Sequence, residues 1–298
     1  MEHAAAHGGT GGKRSATLYV VATPIGNLGD IGLRALDTLR GVDAVAAEDT
    51  RVTRRLLAHH GIAKRLIPVH EHNEKRAVEG ILALLRDGRS VALTCDAGTP
   101  AISDPGALLV AAARAAGFRV VPVPGPNAAI AALSVCGIGA PHHLFYGFLP
   151  ARAASRRREL SALARLPFTL VFYEAPHRVE ACVSDLRAVL GEARRVVIAR
   201  ELTKLFESVH ACALGEAGTW LAGDPDRRKG EFVLIVEGAA EARAAAEMPG
   251  QRALEALMEE LPLSQAVDLA ARITGERKNE LYRLALAMRR KALPSRNR

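Results

Sequence analysis

The chain contains 298 residues, of which 49% are hydrophobic and 24% charged, so it can form two domains with apolar cores and is not disordered for most of its length. Its formal net charge of +8 favours an anionic partner such as nucleic acid, the alternative being a generally basic composition. The four cysteines are widely spaced, which argues against a zinc site or a disulfide framework and fits a reducing cytoplasm. We therefore expect no metal.

The beginning of the chain has no targeting pattern. Residues 1–17 are rich in Gly, Ala and His and lack the apolar core of a signal peptide. No apolar run of about eighteen residues, the length that spans a membrane, follows them. We expect a disordered leader over 1–17 and a cytoplasmic protein without a membrane segment.

Apolar and amphipathic segments alternate through the first half of the chain. This alternation predicts a mainly parallel sheet with helices on both faces, forming an N-terminal α/β domain over 18–140. Asn73 is the predicted cap of the third helix. The predicted strands cover 18–22, 43–47, 65–69, 90–94 and 118–122, and the predicted helices cover 33–39, 50–59, 73–86, 105–116 and 127–135.

A segment rich in Gly, Pro and His, 137–150, marks a domain boundary. Beyond it, β-branched and aromatic runs predict a mixed sheet in an α+β domain over 141–238, with strands at 168–173, 195–199, 208–212 and 231–236 and helices at 152–166 and 176–190. An Ala/Glu-rich linker, 238–249, then leads to three short helices over 251–260, 264–273 and 277–290. This last unit, 250–292, is either an RNA-docking helix-turn-helix or a simple helical cap.

The most informative motif is the loop from Asp96 to Gly106, which follows an apolar run and precedes a helical pattern. A strand, a loop of Gly, Pro and Asp, and a helix start are how α/β folds build a ligand cleft. Taken alone, the loop could be a turn in which Asp104 caps a helix. Similar loops at 23–28 and 123–129 end two other strands, so the three together predict a cleft at one sheet edge.

Several familiar motifs are missing. Pro24 and Ile25 stand where a dinucleotide-binding turn needs glycines, which argues against NAD despite the acidic pair Glu48 and Asp49 that follows. The sequence also lacks the P-loop, zincin and α/β-hydrolase motifs. In the second domain, polar clusters at 173–178, 199–204 and 227–231 adjoin strands. They could bind phosphates and polarise a hydroxyl, or form a solvated face of salt bridges.

Six ordered motifs, at 18–28, 47–51, 96–100, 122–126, 172–178 and 199–204, resemble the small-subunit ribosomal RNA methyltransferases of the tetrapyrrole methylase superfamily. The resemblance covers about 18–238, with a weaker match over 261–286. It implies a tetrapyrrole methylase-like α/β fold of two domains with the cofactor cleft between them, plus a small C-terminal helical unit. It also implies 2′-O-methylation of a cytidine ribose in the decoding region of 16S rRNA with S-adenosyl-L-methionine, and a homodimer acting on 16S rRNA or the small ribosomal subunit. Ala22 departs from the pattern, where a bulkier residue is expected.

The resemblance and the residue chemistry together give candidate site residues. The cofactor-binding candidates are Pro24, Gly26, Asp96, Ala97, Gly98, Thr99, Ile102, Ser103, Gly125, Ala128, Tyr173, Glu174 and Val233. The unranked catalytic candidates, which would deprotonate the ribose hydroxyl or favour its alkoxide, are Lys204, Glu174, His177 and Glu231. The candidate RNA contacts are Arg51, Arg54, Arg156, Arg157, Arg178, Arg200, Arg228 and Lys229.

Two alternatives remain open. A tetrapyrrole C-methyltransferase would carry a G-x-G-D pattern in its first loop, and Thr23 to Asn27 does not have it. A non-enzymatic RNA-binding assembly factor could keep the fold, but the intact loop around Asp96 argues against that reading.

Overall fold

The computed structural model describes residues 16–70, 73–139, 141–239 and 249–292. Most of the predicted leader and most of the predicted linker therefore lie outside the described residues. Within the described ranges, no helix has the length and apolar character needed to cross a membrane. The two halves of the chain each form a five-stranded sheet.

The first sheet has the order β3-β2-β4-β1-β5 and all its strand pairs are parallel, as the alternation of the sequence predicts. Its strands are β1 (Thr17–Val21), β2 (Ala44–Ala47), β3 (Arg65–Pro68), β4 (Val91–Thr94) and β5 (Arg119–Val123). The helices between and after them are α1 (Leu33–Gly41), α2 (Thr50–His59), α3 (Glu74–Arg86), α4 (Ala107–Ala115) and α5 (Ala128–Val135). Because β4, β1 and β5 are neighbours, the three loops that follow them meet at one edge.

Helices cover both faces of this sheet. On one face Leu39 and Leu57 pack against Val45, and on the other Ile81 and Leu109 pack into a second buried cluster. The four residues of β2 and the four of β4 are all buried. Burial on both faces explains why these strands are continuous apolar runs.

The second sheet has the order β6-β7-β10-β8-β9, with β6 and β7 parallel and the remaining pairs antiparallel. Its strands are β6 (His143–Phe148), β7 (Thr169–Glu174), β8 (Arg195–Arg200), β9 (Ser208–Ala213) and β10 (Phe232–Val236). The helices of this half are α6 (Ala153–Leu163), α7 (Val179–Leu190) and α8 (Leu214–Ala222). These helices cover one face of the sheet. The other face packs against α5 and Ile25 of the first half, where Ala132 contacts the cluster that contains Val171 and Val233.

Two elements were not predicted. Strand β6 lies inside the segment interpreted as a boundary, because the flanking Gly, Pro and His residues leave only six residues at the sheet edge as a strand signal. Helix α8 contains Gly215 and Gly218, which lower helix propensity, although its buried Leu214, Ala217 and Leu221 recur at helical spacing. Packing of these three residues in the core compensates for the poor local propensity.

The cap predictions need correction. The Asn73 side chain accepts a hydrogen bond from the His70 amide instead of capping α3. Gly106, and not Asp104, is the N-cap of α4. The free backbone amides there donate hydrogen bonds to a side chain that is distant in the sequence. Glu74 Oε1 accepts from the Gly106 amide at 3.0 Å and from the Leu108 amide at 3.1 Å. Helix α3 therefore supplies a carboxylate whose negative charge stabilises the positive N-terminal end of α4.

A buried ion pair joins α6 to α7. Arg156 is 3% exposed and Asp185 is 2% exposed. Arg156 Nη2 lies 2.6 Å from Asp185 Oδ2, and its Nη1 donates to the carbonyls of Pro150 and Ala151. This placement corrects the prediction that Arg156 contacts RNA, because its guanidinium is enclosed by the fold.

The C-terminal helices are α9 (Pro249–Glu260), α10 (Leu263–Thr274) and α11 (Lys278–Ala292). They pack around a small core that includes Leu254, Val267 and Leu281. Gly275 ends α10 in the left-handed conformation, at φ 74°. The predicted role of this unit, docking or capping, stays a prediction.

Removing one member of the buried pair should be costly. Asp185→Ala leaves the Arg156 guanidinium buried without its carboxylate, so we expect the free energy of unfolding to fall by about 3–5 kcal/mol. Asp37→Ala, which breaks an exposed pair with Arg40, should cost about 1 kcal/mol or less. Urea unfolding followed by circular dichroism measures both. Equal losses for the two variants would contradict a structural role for the buried pair.

Candidate functional site

A cavity of about 340 Å³ lies between the two sheets, at the edge where the three loops of the first sheet meet β7 and β10. The first half of the chain lines it with Ile25, Ala97, Gly98, Thr99, Ile102, Ser103, Asp104, Asn127 and Ala128. The second half lines it with Phe148, Tyr173, Glu174, Ala175, Pro176, Leu202, Glu231, Phe232 and Val233. The lining is largely apolar with a few polar groups, which is typical of a small-molecule site.

The loop after β4 is locked to the loop after β1. The Thr23 amide donates to the Gly98 carbonyl at 2.8 Å, and the Gly98 amide donates back to Thr23 at 3.0 Å. Gly98 has a φ of 85°, which a larger residue adopts only with strain. Ala101 and Ser103 are also left-handed, at φ 66° and 64°. The surrounding contacts thus hold the loop in a conformation that the free chain disfavours.

Carboxylates cluster in the first domain around Asp104, which lines the cavity. The Asp49 amide donates to Asp96 Oδ1 at 2.9 Å, and the Asp96 amide donates to Glu48 Oε2 at 3.2 Å. Burial raises the pKa of Glu48 and of Asp96. Burial also raises the pKa of Asp104 to about 6, and the nearby charges of Glu48 and Asp96 add to the effect. Such a cluster favours a ligand that carries positive charge.

Tyr173 links the helix α5 to the cavity. Its hydroxyl oxygen accepts a hydrogen bond from the Ala129 amide at 3.2 Å, so the hydroxyl proton is free to donate elsewhere. Burial, followed by the charge of Asp104, raises the pKa of Tyr173 and keeps this proton in place. Tyr173 can therefore donate a hydrogen bond to a ligand in the cavity.

A lysine lies between two glutamates at the second-domain edge of the cavity. Lys204 Nζ lies 2.8 Å from Glu201 Oε1 and 2.9 Å from Glu231 Oε2. Burial alone would lower the pKa of Lys204. The hydrogen bonds to Glu201 and Glu231 have the larger combined effect, so the pKa of Lys204 is raised. Lys204 is therefore an ammonium ion at neutral pH.

Gly26 brings the first-domain loop against this cluster. A Cβ atom at Gly26 would lie 2.8 Å from Thr203 Oγ1 and 2.9 Å from the Leu202 carbonyl oxygen, and it would also overlap Lys204. The absence of a side chain thus permits the two domains to touch beside the cavity. Gly26 lies under the 201–204 loop and does not line the cavity.

The four catalytic candidates occupy different positions. Glu231 and Glu174 line the cavity, whereas Lys204 and His177 do not. The Glu174 carboxylate is fully buried and lies 3.0 Å from Arg178 Nε. The Glu231 carboxylate is exposed apart from its contact with Lys204. His177 is exposed on the turn before α7.

Most of the cofactor candidates lie together. Those that line the cavity are Ala97, Gly98, Thr99, Ile102, Ser103, Ala128, Tyr173, Glu174 and Val233. Pro24, Gly26, Asp96 and Gly125 do not line it. A Cβ atom at Gly125 would lie 3.0 Å from the Cβ atom of Ala22, so these two small residues allow the neighbouring loops to pack closely.

Sequence reasoning missed several lining residues. Ile25 and Leu202 lie inside two of the recognised motifs, but the sequence does not show that their side chains are buried beside the cavity. Phe148 had no signal, because the strand that carries it was not predicted. The other lining residues that were missed are Asp104, Asn127, Ala175, Pro176 and Phe232.

The candidate RNA contacts form two groups, cations that hydrogen-bond to backbone carbonyls and cations that are accessible to solvent. Arg178 donates to the Leu149 carbonyl, and Arg200 donates to the carbonyls of Asp226, Lys229 and Phe206, so these two support the backbone. Apart from the buried Arg156, the remaining candidates are exposed to solvent or nearly so, and most of them pair with a neighbouring carboxylate. The pairs are Arg51 with Asp49, Arg157 with Asp185, Arg228 with Glu180, and Lys229 with Asp226. Arg54 is also exposed.

Residues 17–218 match the family model of tetrapyrrole (corrin/porphyrin) methylases, and residues 242–289 match that of the RsmI C-terminal HTH domain. The chain is 54% identical to ribosomal RNA small subunit methyltransferase I of Xylella fastidiosa over 89% of its length and 97% of that relative. It is 51% identical to the enzyme of the same name in Escherichia coli O157:H7, over 90% of the chain and 94% of the relative. The fold is similar to that of uroporphyrin-III C-methyltransferase from Thermus thermophilus in complex with S-adenosylhomocysteine, with a TM-score of 0.54, 18% identity, and coverage of 74% of this chain and 97% of the other.

The raised pKa of Asp104 predicts how stability depends on pH. The carboxyl holds its proton more tightly in the folded chain, at a pKa of about 6, than at its ordinary value of 3.8. Its contribution to the free energy of unfolding therefore decreases as the pH rises from about 4 to about 6. Asp104→Asn should be more stable than the wild type at pH 8, and the difference should vanish near pH 4. Urea unfolding across this pH range measures it.

The matched control is Asp37→Asn, on an exposed carboxyl. It should show no such pH-dependent gain. An Asp104→Asn protein that is less stable than the wild type at pH 8 would contradict the cost of the buried charge.

Proposed function

The chain belongs to the tetrapyrrole methylase family, and on that premise we propose that it methylates the 2′-hydroxyl of a cytidine ribose in the decoding region of 16S rRNA, using S-adenosyl-L-methionine. The observation that carries this proposal is the cavity between the domains, with carboxylates on one side and a lysine held by two glutamates on the other. Support for the RNA substrate comes from relatives about half identical over nearly their whole length, all named ribosomal RNA small subunit methyltransferase I.

The cavity fits this methyl donor. When bound, S-adenosyl-L-methionine supplies a methyl group on a positively charged sulfonium. The carboxylates of Asp104, Asp96 and Glu48 provide negative potential on the first-domain side for a cationic ligand. Apolar side chains such as Ile25 and Val233 cover the uncharged parts and exclude water.

Glu231 is the best placed base. It lines the cavity, and its carboxylate can accept the proton of the ribose hydroxyl as the new oxygen–carbon bond forms and the carbon–sulfur bond breaks. Lys204, as an ammonium ion, cannot accept a proton at neutral pH. Lys204 instead orients the Glu231 carboxylate and favours negative charge on the ribose oxygen.

The other two candidates have supporting roles. Glu174 is bonded to the Ala175 amide and paired with Arg178, which fixes the end of β7 beside the cavity. His177 is exposed outside the lining, where it can contact RNA but not the cofactor cavity. Alignment of the ribose oxygen with the methyl carbon is then the main task of the surrounding residues.

Several further features complete the proposal. The exposed cations Arg51, Arg54, Arg157 and Lys229, together with the half-exposed Arg228, contact RNA phosphates. The C-terminal helices dock the RNA, which their family match to a helix-turn-helix domain supports. The enzyme acts as a homodimer in the cytoplasm, on 16S rRNA or on the small ribosomal subunit.

The proposed reaction is tested with small ribosomal subunits from cells in which the gene is deleted. Incubation with the protein and S-adenosyl-L-methionine should produce 2′-O-methylcytidine, detected by mass spectrometry of the nucleosides. Ala97→Leu fills the cavity from an exposed position with ordinary backbone, so donor affinity measured by calorimetry should fall about tenfold or more. Ala58→Leu, on an exposed site of α2, is the control. No methylated cytidine with the wild-type protein refutes the substrate.

The role of Glu231 is tested by Glu231→Gln, which keeps the size of the side chain and removes the basic oxygen. The rate of methyl transfer at saturating substrates should fall about 100-fold or more, while donor affinity changes little. Lys204→Met should also lower the rate, because Glu231 loses its partner. Glu79→Gln, on the exposed face of α3, serves as the control. A normal rate for Glu231→Gln would exclude it as the base.

A further inference from the structure

Strand β6 contains an irregularity that changes where its last residue points. In its pairing with β7, Phe145 lies opposite Val171, but Gly147 lies opposite Phe172 and Phe148 opposite Tyr173. One extra residue, Tyr146, is thus accommodated in β6. Since side chains alternate along a strand, regular pairing would place Phe148 opposite Glu174 and on the face toward α6 and α7. The bulge instead puts Phe148 on the face of Tyr173, toward the cavity.

The bulge depends on Gly147. Its φ of 81° is a left-handed conformation that favours glycine. A Cβ atom at this position would lie 2.8 Å from Ser103 Oγ, in the cavity loop of the first domain. Gly147 therefore allows β6 to approach that loop closely, which carries Phe148 to the mouth of the cavity.

The backbone that follows Phe148 is held by buried charges. The carbonyl of Leu149 accepts a hydrogen bond from Arg178, and those of Pro150 and Ala151 accept from Arg156. Each guanidinium is balanced by a carboxylate, Glu174 for Arg178 and Asp185 for Arg156. Three successive carbonyls are thus fixed, and Phe148 is presented by a rigid support.

The Phe148 ring is held but not covered. It packs edge-on against Tyr173, with ring centroids 5.6 Å apart, and remains 51% exposed. Ile102, which is 40% exposed, and Pro176 line the same cavity. The exposed Arg152 follows four residues later, at the start of α6. An exposed aromatic face is the chemistry that receives an unstacked base, and a cation close to it in the chain can meet the phosphate.

We infer that Phe148 is the surface on which the base of the target nucleotide stacks, so that its ribose hydroxyl reaches Glu231. The inference rests on the proposed RNA methyltransferase function. Proteins often bind single-stranded RNA through bases that have left their stacked neighbours, and an aromatic platform compensates for the lost stacking. The exposed position of Phe148 suits a ligand that arrives from solvent, whereas the half-buried carboxyl of Asp104, which lines the cavity, suits the cationic donor.

The test compares Phe148→Ala, Phe148→Trp and Phe206→Ala. Phe206 is 66% exposed and does not line the cavity, so it controls for the loss of an exposed aromatic ring. With ribosomal subunits as substrate, Phe148→Ala should lower kcat/KM for RNA about 5- to 150-fold, and Phe148→Trp should restore most of it. Donor affinity, measured by calorimetry without RNA, should stay within about twofold of the wild type.

Two results would overturn the inference. If Phe148→Ala lowers donor affinity as much as it lowers kcat/KM, the ring serves the methyl donor and not the RNA. If kcat/KM for RNA matches that of Phe206→Ala, no base stacks on Phe148. Failure of the wild-type protein to methylate the subunits is a separate outcome that rejects the proposed function itself.

Discussion

The apolar contact between α5 and the second sheet is the constraint on which the site depends. One face of that sheet is covered by its own helices, and the other would face water without Ala129, Ala132 and Ile25 from the first half of the chain. Burial of this surface is what fixes the two sheets relative to each other. The cavity exists because the loops of the first sheet and the ends of β7 and β10 are then held at a set separation.

Charge is distributed unevenly around this contact. The chain is basic as a whole, yet the first-domain side of the cavity carries Glu48, Asp96 and Asp104, whose pKa values are raised by burial. These carboxylates oppose folding slightly at neutral pH, and their retention beside a cavity is typical of a binding site. The cations lie mainly on the outer surface, where they can meet a polyanion. One chain can thus bind a cationic ligand and an anionic ligand on adjoining surfaces.

The sequence predicted what depends on local pattern and missed what depends on distant partners. Alternating apolar segments were enough for the parallel sheet, and small residues after β4 were enough for the cavity loop. The burial of Arg156 could not be foreseen, because Asp185 lies on another helix. The same holds for Glu74, which caps a helix 32 positions away. The bulge in β6 leaves no local signal beyond Gly147, so the orientation of Phe148 could not be predicted either.

Arg156 and Arg178, which support the β6–α6 connection, restrict which substitutions this protein tolerates. Replacing Asp185 alone leaves the buried Arg156 guanidinium without its carboxylate, which destabilises the fold. Arg178 and Glu174 stand in the same relation, and Glu174 also borders the cavity. Surface arginines can be exchanged one at a time, whereas a change at Asp185 or Glu174 calls for a change in its arginine as well. The support beneath the cavity mouth therefore tolerates fewer single substitutions than the surface around it.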